Sequence, residues 1–130
     1  MKTVKFIVEK TSDGYSAYAE NWDKYPVGTT GDNLDELKSN IIDAVNSHYE
    51  AAGSKEVATA ESISLEMDIV QFFEFYKVIN ATALSSRIKM NEGLIHQYSK
   101  GHKKPGRKQI EKILSGLRDL GRELSTIEIA

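Results

Sequence analysis

Between Arg87 and Lys108 the chain sets two kinds of chemistry side by side. Asn91, Glu92, His96 and Gln97, with Gly93 among them, offer amide, carboxylate and imidazole groups that can hydrogen-bond to base edges. Arg87, Lys89, Lys100, His102, Lys103, Lys104, Arg107 and Lys108 offer cations that can neutralise phosphate. Asn or Gln can pair in bidentate fashion with adenine, and the first residues of a helix in the major groove are those that reach base edges. Lys and Arg on phosphates fix position without reading sequence. Between Arg87 and Lys108 there are 7 Lys and Arg against one acid, Glu92, a local balance of +6. The pattern predicts base contacts from Asn91, Glu92, Gly93, His96 and Gln97, with Leu94 able to meet a thymine methyl, and phosphate contacts from the basic set. Asn91 has a second role open to it, as a helix cap.

No comparable set supports catalysis, a cofactor or a metal. His48, His96 and His102 lack HxxxH or HExxH spacing, and there is no Cys to complete a zinc set. Gly28 and Gly31 lack the arrangements that cradle phosphate. Asp13 belongs to a turn and Asp32 and Asp35 to a helix start, so no two carboxylates stand out as a positioned acid and base.

A helix-turn-helix would hold the base-reading groups. Asn80 can cap a first helix over Ala81 to Ile88, in which Leu84 and Ile88 share a face and Ser85 keeps the crossing small. Met90 fills the turn, Asn91 caps the second helix, Ile95 and Tyr98 face back onto the first, and Gly101 is a left-handed stop. Lys89 stands where Gly is usual, so the turn demands a positive φ from it. Gly93 costs a helix roughly 1 kcal/mol relative to Ala, a cost more easily rationalised if backbone must approach DNA closely. Upstream, the almost wholly apolar VQFFEFYKVI (70–79) reads as a helix rather than a free linker. Downstream, a helix over Arg107 to Leu124 carries Ile110, Ile113, Leu114, Leu117, Leu120 and Leu124. That surplus is either core or the contact of a homodimer or higher oligomer, to which the terminal STIEI could add a strand.

The front of the chain has the opposite charge. Met1 to Ile69 holds 6 Lys against 13 acids, a balance of −7, whereas Val70 to Ala130 holds 11 Lys and Arg against 6 acids, a balance of +5. The split marks two surfaces, of which the second suits a polyanion. Val4, Phe6 and Val8 alternate as in a half-buried strand, Tyr15, Ala17 and Ala19 repeat the pattern, and Asp13-Gly14 between them is a hairpin signal. An extended piece follows at 27–30, then a helix from Leu34 to Glu50 with Asp32 as its N-cap, a loop, and a strand with Ile63, Leu65, Met67 and Ile69 on one face. The fold class is α+β: a small β-β-β-α-β domain over 1–69, then an all-α helix-turn-helix domain over 70–130. Tyr15, Tyr18, Trp22 and Tyr25, with Glu20 and Asp23, either complete a small core or form an acidic aromatic face for a basic protein. The N-terminal residues are too charged for a signal peptide and no apolar run approaches a membrane span, so a cytoplasmic protein without membrane contact is expected.

The front segments VKFIVEKTSDGYSAYAEN and TTGDNLDELKSNIIDAV, with the more specific VINATALSSRIKMNEGLIHQYSKGHKKP and KQIEKILSGLRDLGREL, resemble the HicB family of type II antitoxins over nearly the full length. The resemblance implies a partial RNase-H-like front domain without catalysis that neutralises a HicA-like toxin, a small basic mRNA interferase. It also implies that the tail represses its own operon by binding double-stranded operator DNA through the helix Glu92 to Lys100. Lys89, Gly93, Leu94 and the WDKYPV segment depart from the family pattern. The competing classes are an orphan helix-turn-helix regulator whose front domain senses a ligand or another protein and, third, an RNase-H-like enzyme.

Overall fold

A computed structural model describes residues 3–130. The protein is α+β, with one four-stranded mixed sheet and five α-helices among those residues. It divides into two compact units, one ending at Gln71 and the other running from Phe72 to Ala130.

In the first unit, β1 (Val4–Lys10) and β2 (Tyr15–Ala19) pair antiparallel from Phe6 opposite Ala19 to Lys10 opposite Tyr15. The turn closes through Thr11 N–H to the Gly14 carbonyl at 2.9 Å. Gly14 is not among the residues with positive φ. It is required for space instead, since a Cβ there would lie 2.4 Å from the Gly31 carbonyl oxygen. β3 (Gly28–Gly31) pairs antiparallel with β2 and β4 (Ile63–Met67) parallel with β1, giving the order β3-β2-β1-β4.

One face of this sheet is covered by α1 (Leu34–Ala51). Leu37, Ile41 and Val45 are fully buried against Val4, Phe6, Val8, Ala17 and Ala19, each such side chain contributing about 1.5–3 kcal/mol. Asn33, not Asp32, is the N-cap: its backbone is extended and its Oδ1 accepts from Glu36 N–H at 2.8 Å. Gly53 ends the helix at φ 71. Asn46 then pins the returning chain, accepting from Ala58 N–H at 2.6 Å and donating to the Ala58 carbonyl at 3.3 Å.

Asp68 Oδ2 caps α2 (Ile69–Phe75) by accepting from Val70 and Gln71 N–H. This helix stops short of the expected 70–79. Val78 and Ile79 are β-branched, and Asn80 takes an extended backbone to cap the next helix. No residue of α2 is buried, despite its apolar content. In the second unit α3 (Ala81–Arg87), α4 (Glu92–Ser99) and α5 (Arg107–Leu124) enclose Leu84, Ser85, Met90, Ile95, Tyr98 and Ile113. α5 meets α3 at Gly116, where a Cβ would sit 2.2 Å from Ile88 Cγ2. Of the apolar residues on α5 only Ile113 is buried; Leu124 is 59 % exposed, and beyond the helix Ile127 and Ile129 are exposed and form no strand in the single chain.

Candidate nucleic-acid interface

The join between α3 and α4 is a Schellman motif built without glycine. Met90 N–H donates to the Ser85 carbonyl at 2.9 Å and Lys89 N–H to the Ser86 carbonyl at 3.3 Å. Closing those bonds needs a left-handed residue, and Lys89 takes it at φ 56. Asn80 and Asn91 cap the two helices, their Oδ1 atoms accepting from Ala83 N–H at 3.0 Å and Leu94 N–H at 3.1 Å. Gly101, at φ 77, ends α4 with the same motif: its N–H reaches the Tyr98 carbonyl and that of His102 the Gln97 carbonyl.

These caps sort the predicted base-contacting residues. Ile95 and Tyr98 turn into the core, which leaves Asn91, Glu92, Gly93 and Gln97 exposed and His96 half-buried. Gln97 is on the open side of α4. The Asn91 Oδ1 accepts the cap hydrogen bond, so the capping role open to Asn91 is filled in the free chain. Gly93 has a local explanation that the sequence did not offer, because a Cβ there would press on the Asn91 Oδ1 at 3.1 Å.

Glu92 and His96 are not free either. Thr82 on α3, which carried no signal in the sequence, donates through Oγ1 to Glu92 Oε1 at 3.1 Å and lies 3.0 Å from His96 Nε2, while His96 Nε2 is 3.9 Å from Glu92 Oε1. A hydroxyl, an imidazole and a carboxylate are the components of nucleophilic catalysis, but their order differs. That chemistry puts the imidazole between hydroxyl and acid so that it can take the hydroxyl proton. Here the hydroxyl stands in the middle, 3.1 Å from the carboxylate and 3.0 Å from the imidazole, which are themselves 3.9 Å apart.

The cations follow. Lys100 is the C-cap of α4, and His102, Lys103 and Lys104 are exposed in the loop after it. Arg107 and Lys108 occupy the first turn of α5, whose N-cap, Gly106, has no side chain to cap with and whose first turn holds no acid. Uncapped N–H groups beside two cations suit an anion. Arg107 also approaches Glu111 at 3.5 Å, an exposed pair of small effect. Arg87 departs from the expected pattern: it is paired with Glu123 of α5, so phosphate would have to compete for it. Lys89 is exposed, and its carbonyl accepts from Lys112 Nζ at 3.1 Å.

The aromatic residues of the first unit do not form one face. Tyr18, on the sheet face away from α1, pairs across with Ile7 and Gly28. Trp22, 52 % exposed, lies over Gly28: a Cβ there would be 3.8 Å from Trp22 Cζ3 and 3.9 Å from Tyr18 Cβ. Glu20 flanks them but is shared with Lys5, whose Nζ is 3.7 Å from Glu20 and 3.1 Å from Glu66. The hydrogen bond and charge of Glu66, then the charge of Glu20, hold the Lys5 ammonium above its ordinary range. Asp23 is exposed in the following turn. Tyr15 falls on the opposite side of β2, half-buried against the core with Lys10 Nζ 4.9 Å from its ring centroid. Tyr25 leaves the group altogether: it is 8 % exposed and packs edge-on against His48 and Tyr49, centroids 6.0 and 6.2 Å away. Burial, then the Tyr25 hydrogen bond, pushes the Tyr49 hydroxyl up to about 12.

Among the described residues no group of three or more His, Cys, Asp or Glu could hold a metal ion, and no helix is long and apolar enough to cross a membrane. Comparison with protein-family models, with curated proteins and with solved structures returns no match.

Proposed function

We propose that the chain is a sequence-specific DNA-binding repressor whose front domain captures a small basic protein, in the manner of a HicB-type antitoxin acting on a HicA-like toxin and on its own operon. The observation that carries the DNA-binding part is the pairing of α3 and α4 through the Lys89–Met90 turn. It turns Ile95 and Tyr98 inward and leaves the opposite side of α4, with Gln97, open beside Lys100, Lys103 and Lys104. The open helix side supplies base readout, and the loop and the first turn of α5 supply phosphate contacts.

The strand order β3-β2-β1-β4, with β4 parallel to β1, supports a partial RNase-H-like front domain. Its capture surface is the Tyr18–Trp22 patch with the acids Glu20 and Asp23, which offers apolar area inside negative charge to a basic partner. The apolar side of α5, with Leu114 and Leu124 exposed, supports a homodimer that sets two recognition helices on one operator. Such a protein acts by stoichiometric occupancy at both ends and works in the cytoplasm.

The test is co-expression of the full chain with the product of the adjoining gene. A small basic protein that co-purifies with the chain, and whose mRNA cleavage stops on adding it, is the expected result. An adjoining product that neither binds nor is toxic would remove the antitoxin reading and leave the DNA-binding one to be judged alone.

A further inference from the structure

Proton counting orders the Thr82–Glu92–His96 set further. The single hydroxyl hydrogen of Thr82 can go to Glu92 Oε1 at 3.1 Å or to His96 Nε2 at 3.0 Å, and only the first choice makes both contacts hydrogen bonds, because a carboxylate that only accepts would otherwise face the Thr82 oxygen with no hydrogen between them. The Thr82 oxygen then presents lone pairs to the imidazole, and the 3.0 Å contact is a hydrogen bond only when His96 Nε2 carries a proton. In a neutral ring the other nitrogen, Nδ1, is then an acceptor, because the bond made by one ring nitrogen decides the state of the other. Among the described residues Thr82 is the hydrogen-bond partner of the ring, which leaves Nδ1 to a partner outside the chain. The His96 side chain is 42 % exposed and stands one turn along α4 from Glu92, within the part of a recognition helix that reaches base edges.

We infer that Thr82 is a positioning residue that sets the base preference of His96: by holding Nε2–H it makes Nδ1 an acceptor, which pairs with the exocyclic amine of adenine or cytosine and rejects guanine. In the major groove adenine N6 and cytosine N4 donate, whereas guanine presents two acceptors, N7 and O6, that meet the Nδ1 lone pair unfavourably. Glu92 acts through Thr82, by taking the proton that would otherwise be free to point at the ring. The base-reading half of this inference rests on the DNA-binding function proposed above; the tautomer half does not.

Two variants separate the relay from packing. Thr82→Ser keeps the hydroxyl, and Thr82→Val keeps the shape without it; the position is exposed, so both should fold. Ring nitrogen chemical shifts of His96, measured by 15N NMR on the free full-length chain at neutral pH, report which nitrogen is protonated. Selection from randomised duplexes reports base preference. Wild type and Thr82→Ser should show Nε2–H alone and prefer adenine or cytosine at one position. Thr82→Val should show mixed tautomers and lose roughly two- to tenfold in discrimination there, with an unchanged salt slope because no phosphate contact is lost. An Nδ1–H ring in the wild type, or identical spectra for wild type and Thr82→Val, would overturn the relay whatever the DNA result. A guanine at the Thr82-sensitive position would overturn the base assignment. A wild type without any sequence preference would overturn the base assignment together with the proposed function, and the free-protein spectra tell that case from a failed relay.

Discussion

Lys112 on α5 donates through Nζ to the carbonyl of Lys89, the one described non-glycine residue with positive φ. α5 thus secures the strained turn that fixes how α4 leaves α3. A left-handed non-glycine residue costs on the order of 1–2 kcal/mol, and here it falls on an exposed cation.

Lys89→Gly separates those two roles. Glycine relieves the strain but loosens the unfolded chain, so a net gain of about 0.5–1 kcal/mol is expected in thermal or denaturant unfolding. The same variant loses a cation, and its affinity should fall alike on every DNA sequence, with a salt slope lower by about 1.

Gln97→Ala and Lys103→Ala should differ in kind. The first removes an amide from the open side of α4 and should cost about 1–3 kcal/mol at one base position only. The second should weaken all DNA similarly and flatten the salt dependence. Binding isotherms on selected and random duplexes at several salt concentrations distinguish them; equal losses on both DNAs from both variants would contradict the assigned roles.

Two glycines on α5 should respond in opposite directions to alanine. At Gly116 the new methyl meets Ile88 Cγ2, and overpacking of about 1–3 kcal/mol is expected. At Gly121 nothing lies within 4 Å, and the gain in helix propensity should stabilise the chain by roughly 0.5–1 kcal/mol. Denaturant midpoints of the two variants against wild type check both signs.

Tyr49 gives a pH signature. Its hydroxyl, raised from 10.0 to about 12, prefers the neutral form in the folded chain. The stability it contributes is therefore complete below pH 10 and is lost as pH rises through 12. Ultraviolet titration of tyrosinate should show one late-ionising tyrosine that Tyr49→Phe removes, and that variant should unfold less steeply over this window.

Much of this architecture is legible in residue order because local rules fix it. Asn80, Asn91 and Gly101 mark helix ends through caps that need only their near neighbours, and the positive φ of Lys89 follows from turn length. Alternation in Tyr15, Ala17 and Ala19 already puts Tyr15 on the core side and Tyr18 opposite. What stayed hidden depends on packing between elements. Thr82 meets Glu92 and His96 only once α3 and α4 are paired, Arg87 meets Glu123 only across to α5, and Tyr25 is buried because α1 brings His48 and Tyr49 to it. Asp32 and Asn33 are both good caps, and only the backbone at Asn33 decides between them.

The most direct measurement is the affinity of the full chain for duplex DNA taken from immediately upstream of its own coding sequence, against random duplex of equal length, at one fixed salt concentration. A sequence-specific repressor should bind the upstream DNA tighter by about 10³-fold or more, with the difference reduced in Gln97→Ala. Equal affinity for both DNAs, or no binding to either, would contradict the role given to α4.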